Sequence, residues 1–234
     1  IGLVLGLACL IAPIIIAPTR FKREYPPFFL TALLILFLAW DLKIHRLEGI
    51  LMLSFLAIYI WRSFNYKEDL KTQPEEEIGL LAGKSPTFQV LLIVIGLIGL
   101  VSGAKLLVSG GVSIARNLGI GEWFIGITVV AIGTSLPEIV SSIMAARRGH
   151  GEMAIGNIFG SNIFNILMVL GITSIIHPLN ITEPIHPDLM IGTGLTCLLL
   201  ILMLRGKYSL GKINGVILLI TYLLYIALKG IGKL

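Results

Sequence analysis

The sequence predicts an all-α, polytopic transmembrane helix bundle built on inverted repeats. Three observations predict it. Of the 234 residues, 56% are hydrophobic and only 13% charged, against about a quarter charged in an average soluble domain; mean hydropathy is +0.95. Apolar runs close to the ~20 residues that a bilayer demands alternate with short charged or proline-bearing stretches. Two segments recur at a fixed spacing. This composition excludes a disordered chain and an ordinary soluble domain.

The elements follow in chain order. Residues 1–16 are an apolar run that opens inside a span, so the first span is read as partial and preceded by further chain. It is expected to stop at Pro18 and the basic cluster Arg20, Lys22 and Arg23. Seven full spans are expected at 27–42, 47–64, 87–108, 122–146, 152–176, 188–205 and 212–229. Residues 65–86 are the longest polar segment and carry the acidic run Glu75, Glu76 and Glu77. This segment reads as a solvated linker between residues 1–64 and 87–234. Assigning loops alternately to two faces places twelve Lys/Arg on one and six on the other. The richer face should be cytoplasmic, which puts the 65–86 loop inside and the C-terminus outside a cell membrane.

Other function classes find little support. The net charge of +5 is not gathered into a basic stripe with interleaved aromatics, so no nucleic-acid partner is expected. Cys9 and Cys197 lie in apolar runs without metal-ligand spacing. His45, His150, His177 and His186 sit in or near loops and form no dyad, so neither an enzyme nor a bound cofactor is expected.

The repeat pairs VLGLACLIAPI (4–14) with VLGITSIIHPL (169–179) at an offset of 165, and LEGILMLSFLAIYI (47–60) with INGVILLITYLLYI (213–226) at 166. The partial first span and its partner at 152–176 are five spans apart. Five is odd, so equivalent helices cross the membrane in opposite directions, as in transporters whose substrate site lies at the midplane between halves. Residues 122–165 have no counterpart in the first half; that counterpart is expected upstream of Ile1.

Glu138, in AIGTSLPEIVSSIMAA, is the acidic residue placed deep in a span. Such a placement costs about 2.5–3.5 kcal/mol on insertion scales and marks a residue facing a cavity or a partner. A protonated Glu bonded to a neighbouring helix is the bland alternative. Thr134, Ser135, Ser141 and Ser142 stand three or four residues away, on the same helical face. Pro137 lacks an N–H, which should free carbonyls near Ala131–Gly133. In the next span, Asn157, Ser161 and Asn165 share a face, and Gly156 and Gly160 form a GxxxG that could equally serve helix packing. Carboxylate, hydroxyls and carbonyls are hard oxygen ligands suited to Na⁺ or Ca²⁺. Together they make a half-shell; Ca²⁺ takes six to eight oxygens. An opposing half-shell should come from the absent counterpart, and the 234 residues by themselves are expected not to transport.

GTSLPE (133–138) followed by GNIFGSNIFN (156–165) resembles the second alpha-repeat of the calcium/cation antiporter superfamily, the prokaryotic sodium/calcium exchanger family in particular. The resemblance implies ten helices in two inverted halves of five, with the first half incomplete here. It implies ion-ligand roles for Glu138, for the hydroxyls of Thr134, Ser135 and Ser161, and for the carbonyls of Ala131 and Gly160. Asn165 falls where some members carry Asp, which removes a negative charge. The expected function is Ca²⁺/Na⁺ antiport by alternating access, in lipid and together with the first alpha-repeat. Proton-coupled cation exchange and a non-transporting scaffold or channel subunit are the alternatives.

Overall fold

The computed structural model describes residues 1–65 and 85–230. Apart from Asn65, Ser85 and Pro86, the expected linker with its acidic run lies outside the described residues. The chain forms two compact units, Ile1–Trp61 with Glu138–Leu234, and Arg62–Pro137.

The first unit opens with α1 (Gly2–Ile11). Pro13 follows, and the residue before a proline is driven out of the helical region; Ala12 is extended at φ −147°, ψ 145°. Strand β1 (Ile14–Ile15) leads to α2 (Pro18–Leu38). Here the structure corrects the expected boundary. Pro18 begins the helix instead of ending the preceding span, because the first helical position needs no N–H. The basic cluster becomes helical. Arg20 pairs with Glu24 at 3.0 Å and with Glu152 at 2.7 Å, and Arg23 with Glu24 at 3.1 Å. The span expected at 27–42 is therefore a helix over 18–38, with Pro26 and Pro27 in its interior.

Strand β2 (Lys43–Ile44) and α3 (Arg46–Asn65) complete the N-terminal part. Glu48 accepts the His45 N–H at 2.7 Å, covering a donor just ahead of the α3 N-terminus. After the second unit the chain returns as α7 (Leu136–Arg147). Helix α7 closes on Gly149 at φ +77°, with His150 N–H bonded to Ala145 O at 2.9 Å, a left-handed glycine stop. Helix α8 (Gly151–Phe164), a π-helical stretch (Asn165–Leu170) and α9 (Gly171–Ile176) form one continuous rod. Strand β3 (Leu179–Asn180), α10 (His186–Arg205), β4 (Ser209–Leu210) and α11 (Lys212–Gly230) follow. The core gathers Phe21, Phe28 and Phe159; Phe28 and Phe159 stack with centroids 4.3 Å apart.

The repeat reappears in the backbone of this unit. β1 pairs antiparallel with β4, Ile14 opposite Leu210 and Ile15 opposite Ser209. β2 pairs antiparallel with β3, Ile44 opposite Leu179 and Lys43 opposite Asn180. At the sequence offsets of 165 and 166, each ribbon maps onto the other residue for residue. Leu42 and Tyr208 correspond and both take positive φ, 61° and 64°. The bond Ile16 N–H to Tyr208 O, 3.1 Å, has its twin in Ile181 N–H to Leu42 O, 2.8 Å. Gly6 and Gly215 approach so closely that a Cβ on Gly215 would lie 2.8 Å from Gly6 O. Gly49 and Gly171, their equivalents, do the same, at 2.7 Å from a Cβ on Gly49 to Gly171 O. The ribbons cap opposite ends of α2, so the equivalent segments are inverted.

The second unit holds α4 (Pro86–Asn117). Ser85 accepts the Phe88 N–H at 3.3 Å and Pro86 stands at the first position, a standard helix opening. A turn through Gly119, φ +74°, leads to α5 (Glu122–Ile125), a π-helical stretch (Gly126–Val130) and α6 (Ala131–Thr134). α6 lies on α4, where Gly133 leaves room for Val108.

Among the described residues, five helices are long and apolar enough to cross a membrane, or six with the broken pair Thr128–Thr134 and Leu136–Arg147. The seven full spans expected exceed this. α2 has the length but opens on Arg20, Lys22, Arg23 and Glu24, too polar a first turn and a half for an uninterrupted apolar span.

Candidate ion site

The first motif-bearing span is bent by 49° between Thr128–Thr134 and Leu136–Arg147, while the second runs on through Gly151–Ile176 with a π-helical stretch inside it. GTSLPE straddles the junction of α6 and α7, where Ser135 is the turn residue that caps α6, at φ −89°, ψ −1°. The GNIFGSNIFN segment runs along α8 and ends on Asn165, where the π-helical stretch begins. Gly126–Val130 is the corresponding π-helical stretch ahead of the first motif. Wide π turns of this kind often accompany functional segments; periodicity in the sequence does not announce them.

Ala131, Thr134 and Ser135 belong to the second unit; Glu138, Gly160, Ser161 and Asn165 belong to the first. Glu138 Oε2 is buried and has no hydrogen-bond partner among the described residues. The bland alternative, a protonated Glu bonded to a neighbouring helix, would satisfy this atom. A buried carboxylate oxygen left bare is costly unless something positive meets it.

Two hydroxyls of the motifs spend their protons on nearby backbone carbonyls. Thr134 Oγ1 donates to Val130 O at 3.0 Å or to Ala131 O at 3.2 Å. Ser161 Oγ donates to Ile158 O at 3.2 Å. A hydroxyl has one proton and two lone pairs; spending the proton on the helix's own carbonyl leaves oxygen lone pairs for a cation. The expected free carbonyls are only partly present. Ser135 N–H is shared between Ala131 O at 3.3 Å and Ile132 O at 3.2 Å, so these two carbonyls are engaged within the turn.

Gly160 has open space where a Cβ would stand, and a Cβ on Gly156 would meet only Glu24 Oε2, at 3.8 Å. Within the described residues these glycines do not form a tight helix seam. Asn165 is exposed. Asn162, off that face, turns its amide back to Ile158 O at 2.7 Å.

Two arrangements escaped the sequence reading. Asn157 Nδ2 reaches Ser141 Oγ and Ser142 Oγ, both at 2.9 Å, and Glu138 O at 3.4 Å. Its place on the polar face was visible, but its partners were not. Lys229, the last residue of the expected span 212–229, is buried against Asp188 at 2.8 Å, with Tyr225 on the other carboxylate oxygen at 3.1 Å. Charges at the start of one span and the end of the next were the available signal.

An inverted helical scaffold, a broken motif helix and a buried, unpartnered carboxylate oxygen define a multi-pass membrane transporter. The family model for sodium/calcium exchanger proteins matches residues 1–65 and 88–230. The chain belongs to that family. It is 38% identical over 95% of its length to CaxA of Alkalimonas amylolytica, a candidate antiporter by its name, covering 72% of that protein. It is 35% identical over 58% of its length to the sodium/calcium exchanger MaX1 of Methanosarcina acetivorans, covering 39% of it. Solved structures of the sodium-calcium exchanger NCX_Mj superpose with a TM-score of 0.77 at 31% identity, over 97% of this chain and 71% of that one.

Proposed function

We propose that this protein exchanges Ca²⁺ for Na⁺ by alternating access, with the two ions competing for one site at Glu138, of which residues 1–234 by themselves supply one half-shell. The bare, buried Glu138 Oε2 carries this reading. The carboxylate compensates cation charge; the hydroxyls of Thr134, Ser135 and Ser161, the carbonyl of Gly160 and the side chain of Asn165 add oxygens. The Ala131 carbonyl joins by exchanging its long Ser135 N–H bond. The two ions are cargo, and the work is transport, not bond chemistry. Residues 1–64 and 87–234 belong to two inverted repeats linked by 65–86, in a cell membrane with that linker inside and the C-terminus outside.

The test is uptake of radiolabelled Ca²⁺ into proteoliposomes of the full-length protein under an outward Na⁺ gradient. Glu138→Gln keeps the shape and removes the charge, and it should abolish uptake. Wild-type uptake rates in that variant reject the site. Uptake driven by a pH gradient and indifferent to Na⁺ replaces Na⁺ with protons as the coupling ion.

A further inference from the structure

Glu138 lies in the opening turn of α7, just beyond the break at Ser135. A helix's first turn lacks intrahelical partners for its own N–H groups and is its least constrained part. A ligand mounted there needs an external tether to hold it against α8, which carries Ser161. The described contacts offer one side chain placed to do this. Asn157 Nδ2 stands 2.9 Å from Ser141 Oγ, 2.9 Å from Ser142 Oγ and 3.4 Å from the peptide oxygen of Glu138 itself. Ser141 Oγ also donates to that peptide oxygen, at 3.3 Å. Ser142 is fully buried, so its bond is shielded from competing water. On α8, Asn157 precedes Ser161 by four residues and shares its face.

We propose that Asn157 is a positioning residue: it sets the register of Glu138 against Ser161 by holding the first turn of α7 to α8. It touches no ion. The proposal rests on the exchange reading of Glu138. Ca²⁺ needs six to eight oxygens at once, so slack in the carboxylate's mounting weakens ion binding before it slows the conformational cycle.

In proteoliposomes of the full-length protein, initial rates of Na⁺-driven Ca²⁺ uptake are measured against Ca²⁺ concentration. Asn157→Ala should raise the half-saturating Ca²⁺ about tenfold, the scale of one or two hydrogen bonds, with the maximal rate per folded transporter retained. Ser142→Ala leaves Asn157 in place and removes one acceptor; it should raise half-saturation about threefold. The double variant should be no worse than Asn157→Ala alone, since both act through one contact. Unchanged half-saturation in Asn157→Ala overturns the proposal, as does a loss confined to the maximal rate. If Asn157→Ala does not fold, unchanged half-saturation in Ser142→Ala overturns it. A wild-type protein without Na⁺-driven uptake overturns the exchange reading, and this role with it.

Discussion

Glu138 holds a buried carboxylate oxygen without a protein partner among the described residues, a state that hydrocarbon tolerates only where function compensates for it. The hydroxyls of the same motifs show a complementary economy, with protons spent on backbone carbonyls and lone pairs left over. Thr134 is the clearest case, bonded back to Val130 and Ala131. Thr134→Ala should therefore raise the half-saturating Ca²⁺ about tenfold in uptake assays, the scale of one ligand oxygen bonded to a charge. Thr134→Ser keeps the oxygen and should restore it. Equal impairment by both would assign Thr134 a packing role. The residue types at this site were legible from the sequence, because a lone Glu among hydroxyls in an apolar run is too costly to place there without a cavity or a partner to meet it. The engagement of the Ala131 carbonyl was not, because it depends on how one N–H divides itself across a broken turn.

At the scale of elements, helix approach is set by glycine pairs that the repeat places in equivalent positions. Gly6 meets Gly215 between α1 and α11, and Gly171 meets Gly49 between α9 and α3. A Cβ on Gly49 would collide with Ser174 Oγ and the Gly171 carbonyl, and one on Gly215 would lie 2.8 Å from Gly6 O. Backbone atoms cannot yield as a side-chain tip can. Gly49→Ala and Gly215→Ala should each destabilise the protein by about 1–3 kcal/mol, the usual cost of overpacking, read as a lower melting temperature in detergent. An unchanged melting temperature in both would show that the helices separate freely. The glycines were visible in the aligned segments, but their pairing across different helices was not, since sequence offset relates repeats and says nothing about which helix each repeat touches. Helix ends were the least legible feature. Pro18 was read as a terminator because a proline beside three basic residues looks like a loop; Glu24 and Glu152 reverse this by neutralising Arg20 in place.

The first unit as a whole is a two-ended body. The β1–β4 ribbon and the α7–α8 turn lie at one end, joined by Ala17 N–H and Arg20 to Glu152 at 3.1 and 2.7 Å. The β2–β3 ribbon lies at the other. In a background without reactive cysteines, Arg148→Cys and Glu183→Cys should react with an impermeant maleimide from opposite sides of intact vesicles. Labelling from the same side would reject the inverted arrangement. The sequence alone determined that this is a membrane bundle with inverted equivalence, because hydropathy and repeat offset are properties of order along the chain; the Glu138-centred set of oxygens is what its motif chemistry proposes. Only the tertiary structure decided that Asn157 secures the opening turn of α7, that Lys229 is buried on Asp188, and that each ribbon is formed by strands from different repeats. Those are pairings between distant segments, and a one-dimensional pattern carries the chemistry of each partner without the geometry that brings them together.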